Sequence, residues 1–269
     1  MVAVNPVVAG DFEDGVAAVE RGDFALALRI FQPLAKQGDA KGQNGLGRIY
    51  NNGWGVKRDY LEAARWYRMA AEQQYASAQM NLGLLYAKGH GVSQNYAEAA
   101  KLFRRAAEQG EASAQFNLGL AYYGAKGVER NAEKTQYWWQ QAAERGHAVA
   151  QYNLAAVLWS GDGIAQDQAL AMHWFRQAKS NGSDDATNFL LTLFEPMYRE
   201  LTEDTLEKVR GDSPRTIPLI DEFGLYKLGL QAVDKRQYSQ AFGYWEPLAK
   251  DGHVESQFSL SHDDHAARP

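Results

Sequence analysis

No cysteine occurs anywhere in the 269 residues. That removes disulfide staples, thiolate metal sites and cysteine nucleophiles together, and it leaves the redox compartment open. Positive charge is also in short supply: 28 Lys and Arg stand against 33 Asp and Glu, for a formal net charge of -5 and a pI near 5.7. A nucleic-acid backbone rewards clustered Lys and Arg, so nucleic acid is not an expected partner. No run of about 18 apolar residues is present to span a bilayer, so a soluble protein is expected, with no membrane insertion. The first ten residues, Met1 to Gly10, lack a basic n-region, and their apolar run is too short for a secretory signal. As given, the chain reads as cytoplasmic; were Val7-Val8-Ala9 the tail of a signal peptide that starts upstream, it would be periplasmic.

Repetition is what the sequence does have. The string Ala78-Gln79-Met80-Asn81-Leu82-Gly83 returns as Ala114-Gln115-Phe116-Asn117-Leu118-Gly119 and again as Ala150-Gln151-Tyr152-Asn153-Leu154, each time 36 positions on. A period of about 20–50 residues signals stacked supersecondary units rather than one closed core. Units start near Ala40, Ala76, Ala112 and Ala148, and one extra first helix is expected from Asp184 to Phe194. Within each unit a first helix carries Gly47, Gly83, Gly119 or Ala155, small residues that let a neighbouring helix approach. A turn follows: Gly53-Trp54-Gly55-Val56, then Gly89-His90-Gly91-Val92, Ala125-Lys126-Gly127-Val128 and Gly161-Asp162-Gly163-Ile164. Four copies of one hairpin turn explain these glycines better than a phosphate loop, since no strand precedes and no Gly-Lys-Ser or Gly-Lys-Thr follows. Asp59, Asn95, Asn131 and Asp167 are placed to cap second helices, with Glu62 and Glu98 completing capping boxes. The rings Tyr67, Phe103, Trp139 and Phe175 sit among alanines at helical spacing, as closely packed helices require. Gly38, Gly110, Gly146 and Gly182 fall where left-handed caps end those helices.

The string Ala-Gln-x-Asn-Leu-Gly-x-x-Tyr, the Gly-x-Gly-Val turn and the Glu-Ala-Ala-x-Trp-Tyr-Arg stretch from Glu62 resemble Sel1-like repeats over roughly residues 40–194. The segment from Asp11 to Gln37 resembles a tetratricopeptide hairpin. Gly229 to Lys250 repeats Gly15 to Lys36 at a constant offset of 214. The expected fold is therefore an all-α, right-handed α/α superhelical solenoid. Its parts are an N-terminal capping hairpin (1–38), a repeat array of four units plus one extra helix (39–195), a proline-containing insert or linker with a helix near Tyr198 to Val209 (196–224), and a second hairpin with an unfinished repeat (225–269). The unfinished repeat suggests truncation or an edge covered by another chain. The resemblance implies a bacterial adaptor that assembles other proteins rather than an enzyme. Cysteine-rich relatives directed at β-lactams suggest the main alternative, a hydrolase; self-assembly through the unfinished repeat is another.

Chemistry-bearing clusters are sparse. His90, His147, His173 and His253 are scattered over different repeats, and none pairs with a serine and a carboxylate at a recognisable spacing. Glu72, Glu108 and Glu144 recur with the period, which points to structure, because a catalytic group is needed once. His262 and His265 with Asp263 and Asp264 read as a solvated tail rather than a metal site. No catalytic residue, cofactor or metal is expected. At about 100° per residue, Ala78, Leu82, Leu85 and Tyr86 share one helix face and Met80, Leu84 and Ala87 another. That second face continues as Phe116, Leu120 and Tyr123, then Tyr152, Ala156 and Trp159; in the first unit it is Asn44, Arg48 and Asn51. The expected site is this column, lining the concave face and holding a peptide or helix between polar rims at Gln43, Arg48 and Asn51. The competing expectation is that Phe116 and Tyr152 only fill the space between repeats.

Overall fold

The computed structural model describes residues 11–200. The chain divides into two compact units, Met1–Asn188 and Phe189–Pro269. Eleven helices and no strand occur among the described residues: α1 (Asp11–Glu20), α2 (Phe24–Lys36), α3 (Ala40–Asn52), α4 (Tyr60–Glu72), α5 (Ala76–Lys88), α6 (Tyr96–Glu108), α7 (Ala112–Tyr123), α8 (Ala132–Glu144), α9 (Ala148–Ser160), α10 (Gln168–Ser180) and α11 (Asp184–Glu200). From α1 to α10 each helix packs on its neighbours in the chain. This nearest-neighbour packing is that of a solenoid built from helical hairpins. The described part of the second compact unit is residues 189–200 of α11. That helix continues through Pro196, where the repeat pattern of the sequence stops; proline there removes one backbone donor without ending the helix, as Pro33 does in α2. The rest of the insert and the second hairpin lie outside the described residues.

The close approach inside each hairpin rests on a glycine facing a ring. A Cβ on Gly47 would come within 2.6 Å of the Tyr67 ring, and one on Gly83 within 2.7 Å of the Phe103 ring; on Gly119 it would collide with the Trp139 indole. Tyr67, Phe103, Trp139 and Phe175 are accordingly buried, between 1% and 5% exposed. Burying a large ring contributes roughly 1.5–3 kcal/mol, so this column of rings is a main source of cohesion within the array. Packing between units tightens at the turns. A Cβ on Gly91 would run into the Tyr60 carbonyl, and one on Gly127 into the Tyr96 carbonyl; both glycines also have positive φ, of 68° and 74°.

All four expected N-caps form. Asp59, Asn95, Asn131 and Asp167 accept amide hydrogen bonds from the first turns of α4, α6, α8 and α10, at 2.7–3.0 Å. The reciprocal half of the capping box does not form. The Asp59 and Asn95 amides donate instead to the Tyr50 and Tyr86 carbonyls of the preceding helices (3.0 and 2.9 Å), and Glu62 and Glu98 pair with Arg65 and Lys101. The left-handed caps at Gly38, Gly110, Gly146 and Gly182 are present, and Gln74 takes the same conformation in the first unit, at φ 63°.

A buried amide ladder joins consecutive hairpins. Gln43, Gln79, Gln115 and Gln151 are each 1–2% exposed, and each donates from Nε2 to an alanine carbonyl eight residues back. Their Oε1 atoms accept from Gln73, Gln109 and Asn181 at 2.8–2.9 Å, except in the third unit. There Arg145 occupies the donor's position and reaches the Gly110 carbonyl at 3.1 Å, leaving Gln115 Oε1 buried without a partner. Gln43, expected at a polar rim, is thus interior structure.

Candidate interaction surface

The column on the first helices is only partly open. Met80, Leu84 and Ala87 are half-buried against a core formed by Phe103 of their own hairpin and Leu118 and Tyr122 of the following one. Phe116 is half-buried as well, its ring 4.8 Å from His147 and 6.4 Å from Trp139. Tyr152 and Trp159 meet the edge of Phe175 at 5.7 and 6.4 Å. These residues therefore spend much of their apolar surface on the joints between helices. Leu120 and Tyr123 are the openly exposed members, at 36% and 39%. In the first unit Asn44 is buried at 5% and accepts from Asn81 Nδ2 at 3.0 Å, so it offers a partner little. Arg48 is exposed, with its guanidinium over the Trp54 ring, and Asn51 is half-buried.

Two inter-unit junctions bring charged and polar groups to this column. Between the third and fourth units, Tyr123 donates to Asp162 Oδ2 at 2.8 Å and Arg130 reaches Asp162 Oδ1 at 3.3 Å. The hydrogen bond to Asp162 raises the Tyr123 pKa, with partial burial adding to it and Arg130 opposing it. Between the first and second units lies a cleft of about 250 Å³, bordered by Asn51, Asn52, Arg58, Asn81, Lys88 and His90. Tyr67 forms part of its wall, and burial pushes that hydroxyl upward while Arg48 pulls it back, so it stays a neutral donor. The cleft was only partly legible in the repeat pattern: Arg58 recurs as Arg130 and Asn81 as Asn117 and Asn153, whereas Asn51, Asn52, Lys88 and His90 do not recur.

Among the described residues no group of three or more His, Asp or Glu could hold a metal, and no helix is long and apolar enough to cross a membrane. His147 caps α9 by accepting the Ala150 amide on Nδ1 at 3.1 Å; burial lowers its pKa, and its own backbone and Glu111 raise it. His90 stacks on Tyr60 with ring centres 4.4 Å apart, and His173 meets Trp174 edge-on. The other histidines of the sequence lie outside the described residues.

A Sel1 repeat profile matches residues 10–39, 40–75, 76–111, 112–147, 148–183 and 224–253. The match thus reaches both hairpins that resemble tetratricopeptide repeats. Among solved structures, a Sel1 repeat protein from Oxalobacter formigenes is 31% identical; the alignment covers 68% of this chain and 75% of that one, with a TM-score of 0.59. The protein c5321, a protective antigen present in uropathogenic Escherichia coli strains with an SLR fold, is 27% identical at a TM-score of 0.59. That alignment covers 94% of this chain and 56% of the longer relative. The immunity protein Pa5087 from Pseudomonas aeruginosa shares the fold at 21% identity, with 71% and 74% of the two chains covered and a TM-score of 0.51. No curated protein gives a significant match.

Proposed function

The chain belongs to the Sel1 repeat family, and from that premise we propose that it is a non-enzymatic scaffold whose first helices hold a peptide or helix of a partner protein. Sel1 repeats typically serve protein interaction. The observation that carries the reading is the change along the column, from Arg48 and Asn51 in the first unit to the exposed pair Leu120 and Tyr123 in the third. Exposed aromatic and aliphatic side chains beside polar groups are the composition of a binding hot spot with its rim. The remaining apolar members, Met80, Leu84, Phe116, Tyr152 and Trp159, supply a firm floor because their rings and chains are already packed.

The test is affinity capture from the native host's lysate, comparing the wild type with a Leu120→Ser/Tyr123→Ser variant of unchanged helical circular dichroism. A protein retained by the wild type and lost by the variant supports the reading. Equal retention by both, or retention by neither, overturns it; a concentration-dependent solution mass would then favour self-assembly.

A further inference from the structure

The two junctions on the column are built from equivalent positions, and one of them already holds a carboxylate. Counting back two periods, Tyr123, Arg130 and Asp162 correspond to Asn51, Arg58 and His90. At the third junction the next unit's turn supplies Asp162, which Tyr123 and Arg130 grip; the space left there is about 10 Å³. At the first junction the turn supplies His90, which stacks on Tyr60 and brings no negative charge to Arg58. The result is the open cleft of about 250 Å³. Arg58 remains, with one nitrogen donating to Tyr60 Oη at 3.3 Å, and Lys88 joins it from α5.

We infer that this cleft takes a carboxylate of an acidic segment in the partner protein, which occupies the place that Asp162 fills between the third and fourth units. The inference rests on the scaffold reading and gives the partner a chemistry. Three observations support it. Two cations border the cleft and no acidic residue does, although the chain as a whole is acidic. Among the described residues, Lys41, Arg65, Lys101 and Arg130 are engaged in ion pairs with carboxylates, and neither Arg58 nor Lys88 is so engaged. The amides of Asn51 and Asn52 are peculiar to the first unit: the corresponding residues are Ala87 and Lys88, Tyr123 and Gly124, then Trp159 and Ser160. A residue that the repeat architecture required would recur. Size agrees with a side chain, since the volume falls below the roughly 300–1,000 Å³ of small-molecule and cofactor sites.

The experiment uses the full chain and a fluorescent decapeptide of alternating glutamate and leucine, with a glutamine–leucine decapeptide as its uncharged counterpart, in low salt. The acidic peptide is expected to bind and the uncharged one not to. His90→Asp, which refills the cleft from within, should weaken binding by about tenfold or more, whereas Arg105→Gln, the same change in charge on the exposed face of α6, should weaken it by less than about threefold. Asp162→His should open a second acidic-peptide site and raise the stoichiometry. The inference is overturned by absence of acidic-peptide binding, by equal losses in His90→Asp and Arg105→Gln, or by equal binding of the two peptides. Equal binding that Leu120→Ser/Tyr123→Ser abolishes would keep the scaffold while removing the carboxylate cleft. Loss of the scaffold reading itself is registered separately, by the capture experiment.

Discussion

The second unit, residues 76–111, and the third, residues 112–147, share the string Ala-Gln-x-Asn-Leu-Gly and the same hairpin, yet they differ at three constrained points: the ring, the ladder donor and the turn. The second faces its helix glycine with Phe103, satisfies Gln79 through Gln109, and turns on Gly89 at φ 70°. The third has Trp139, leaves Gln115 half-satisfied beside Arg145, and turns on Ala125 at φ 52°. It also carries the most exposed part of the column and the Asp162 grip on its far side. The contrast teaches that the period specifies the frame and that departures from it collect in one unit, the third. Strain of this kind gathers at functional places in many proteins.

Exchanging the rings should give the largest effect. Trp139 fits because its indole Nε1 donates to the Phe116 carbonyl at 3.2 Å. Phe103→Trp in the second unit should cost about 1–3 kcal/mol from overpacking against Gly83. Trp139→Ala in the third should cost about 3–5 kcal/mol, the usual range for losing a buried large ring. Urea denaturation measures both, and hydrogen exchange should place each loss in its own hairpin. Equal and small losses would show that the ring–glycine contact does not hold the hairpins together.

Exchange of the ladder residues comes next. Arg145→Gln supplies the missing donor to Gln115 Oε1 and should stabilise by about 0.5–1.5 kcal/mol, whereas Gln109→Arg should destabilise by about 1–3 kcal/mol by orphaning Gln79. Opposite signs in the two units are the signature. If both changes lower the denaturation midpoint, a bound water already satisfies Gln115 and the two units are equivalent at this point.

A smaller pair of opposite signs is expected at the turn. The left-handed conformation costs a residue with a Cβ roughly 1–2 kcal/mol, and part of that is offset by glycine's larger chain entropy when unfolded. Ala125→Gly should therefore stabilise, and Gly89→Ala destabilise, by about 0.5–1 kcal/mol each. A Cβ at Gly89 would also press to 3.2 Å from that of Gln94. Thermal melts of the two variants decide it.

The frame was legible in the sequence because every one of its parts recurs. Unit starts at Ala40, Ala76, Ala112 and Ala148, the caps at Asp59, Asn95, Asn131 and Asp167, and the ring–glycine pairs all follow from a pattern that one helical period explains. The glutamine ladder carried a signal too, since Gln43, Gln79, Gln115 and Gln151 recur, with an amide donor thirty residues on in all but the third unit. Its burial was hidden because periodicity within one helix says nothing of what the next hairpin covers. The same limit applies to the column. Spacing on α7 places Phe116 and Tyr123 on one face, but it is the packing of the next hairpin that brings His147 onto Phe116 while Tyr123 remains exposed. The cleft by Arg58 needed the junctions compared in space, because Asn51, Asn52, Lys88 and His90 break the period.

The smallest expected effect separates the start of α9 from those of α5 and α7. Tyr75 and Glu111 stand at the caps of α5 and α7 without a side-chain cap bond, whereas His147 accepts the Ala150 amide through Nδ1. Only the neutral ring can accept there, and burial lowers the His147 pKa from its ordinary 6.5. The unfolded chain therefore binds a proton at higher pH than the folded one. The contribution is present in full above about pH 6.5 and is lost as pH falls through the lower folded value, where the unfolded state binds more protons. The wild type should accordingly lose stability between pH 7 and pH 5 relative to His147→Asn, which keeps a capping acceptor with no titration in that range. Parallel melting curves for the two proteins across that interval would show that His147 does not titrate differently on folding, and its cap would then set α9 apart from α5 and α7 by geometry alone.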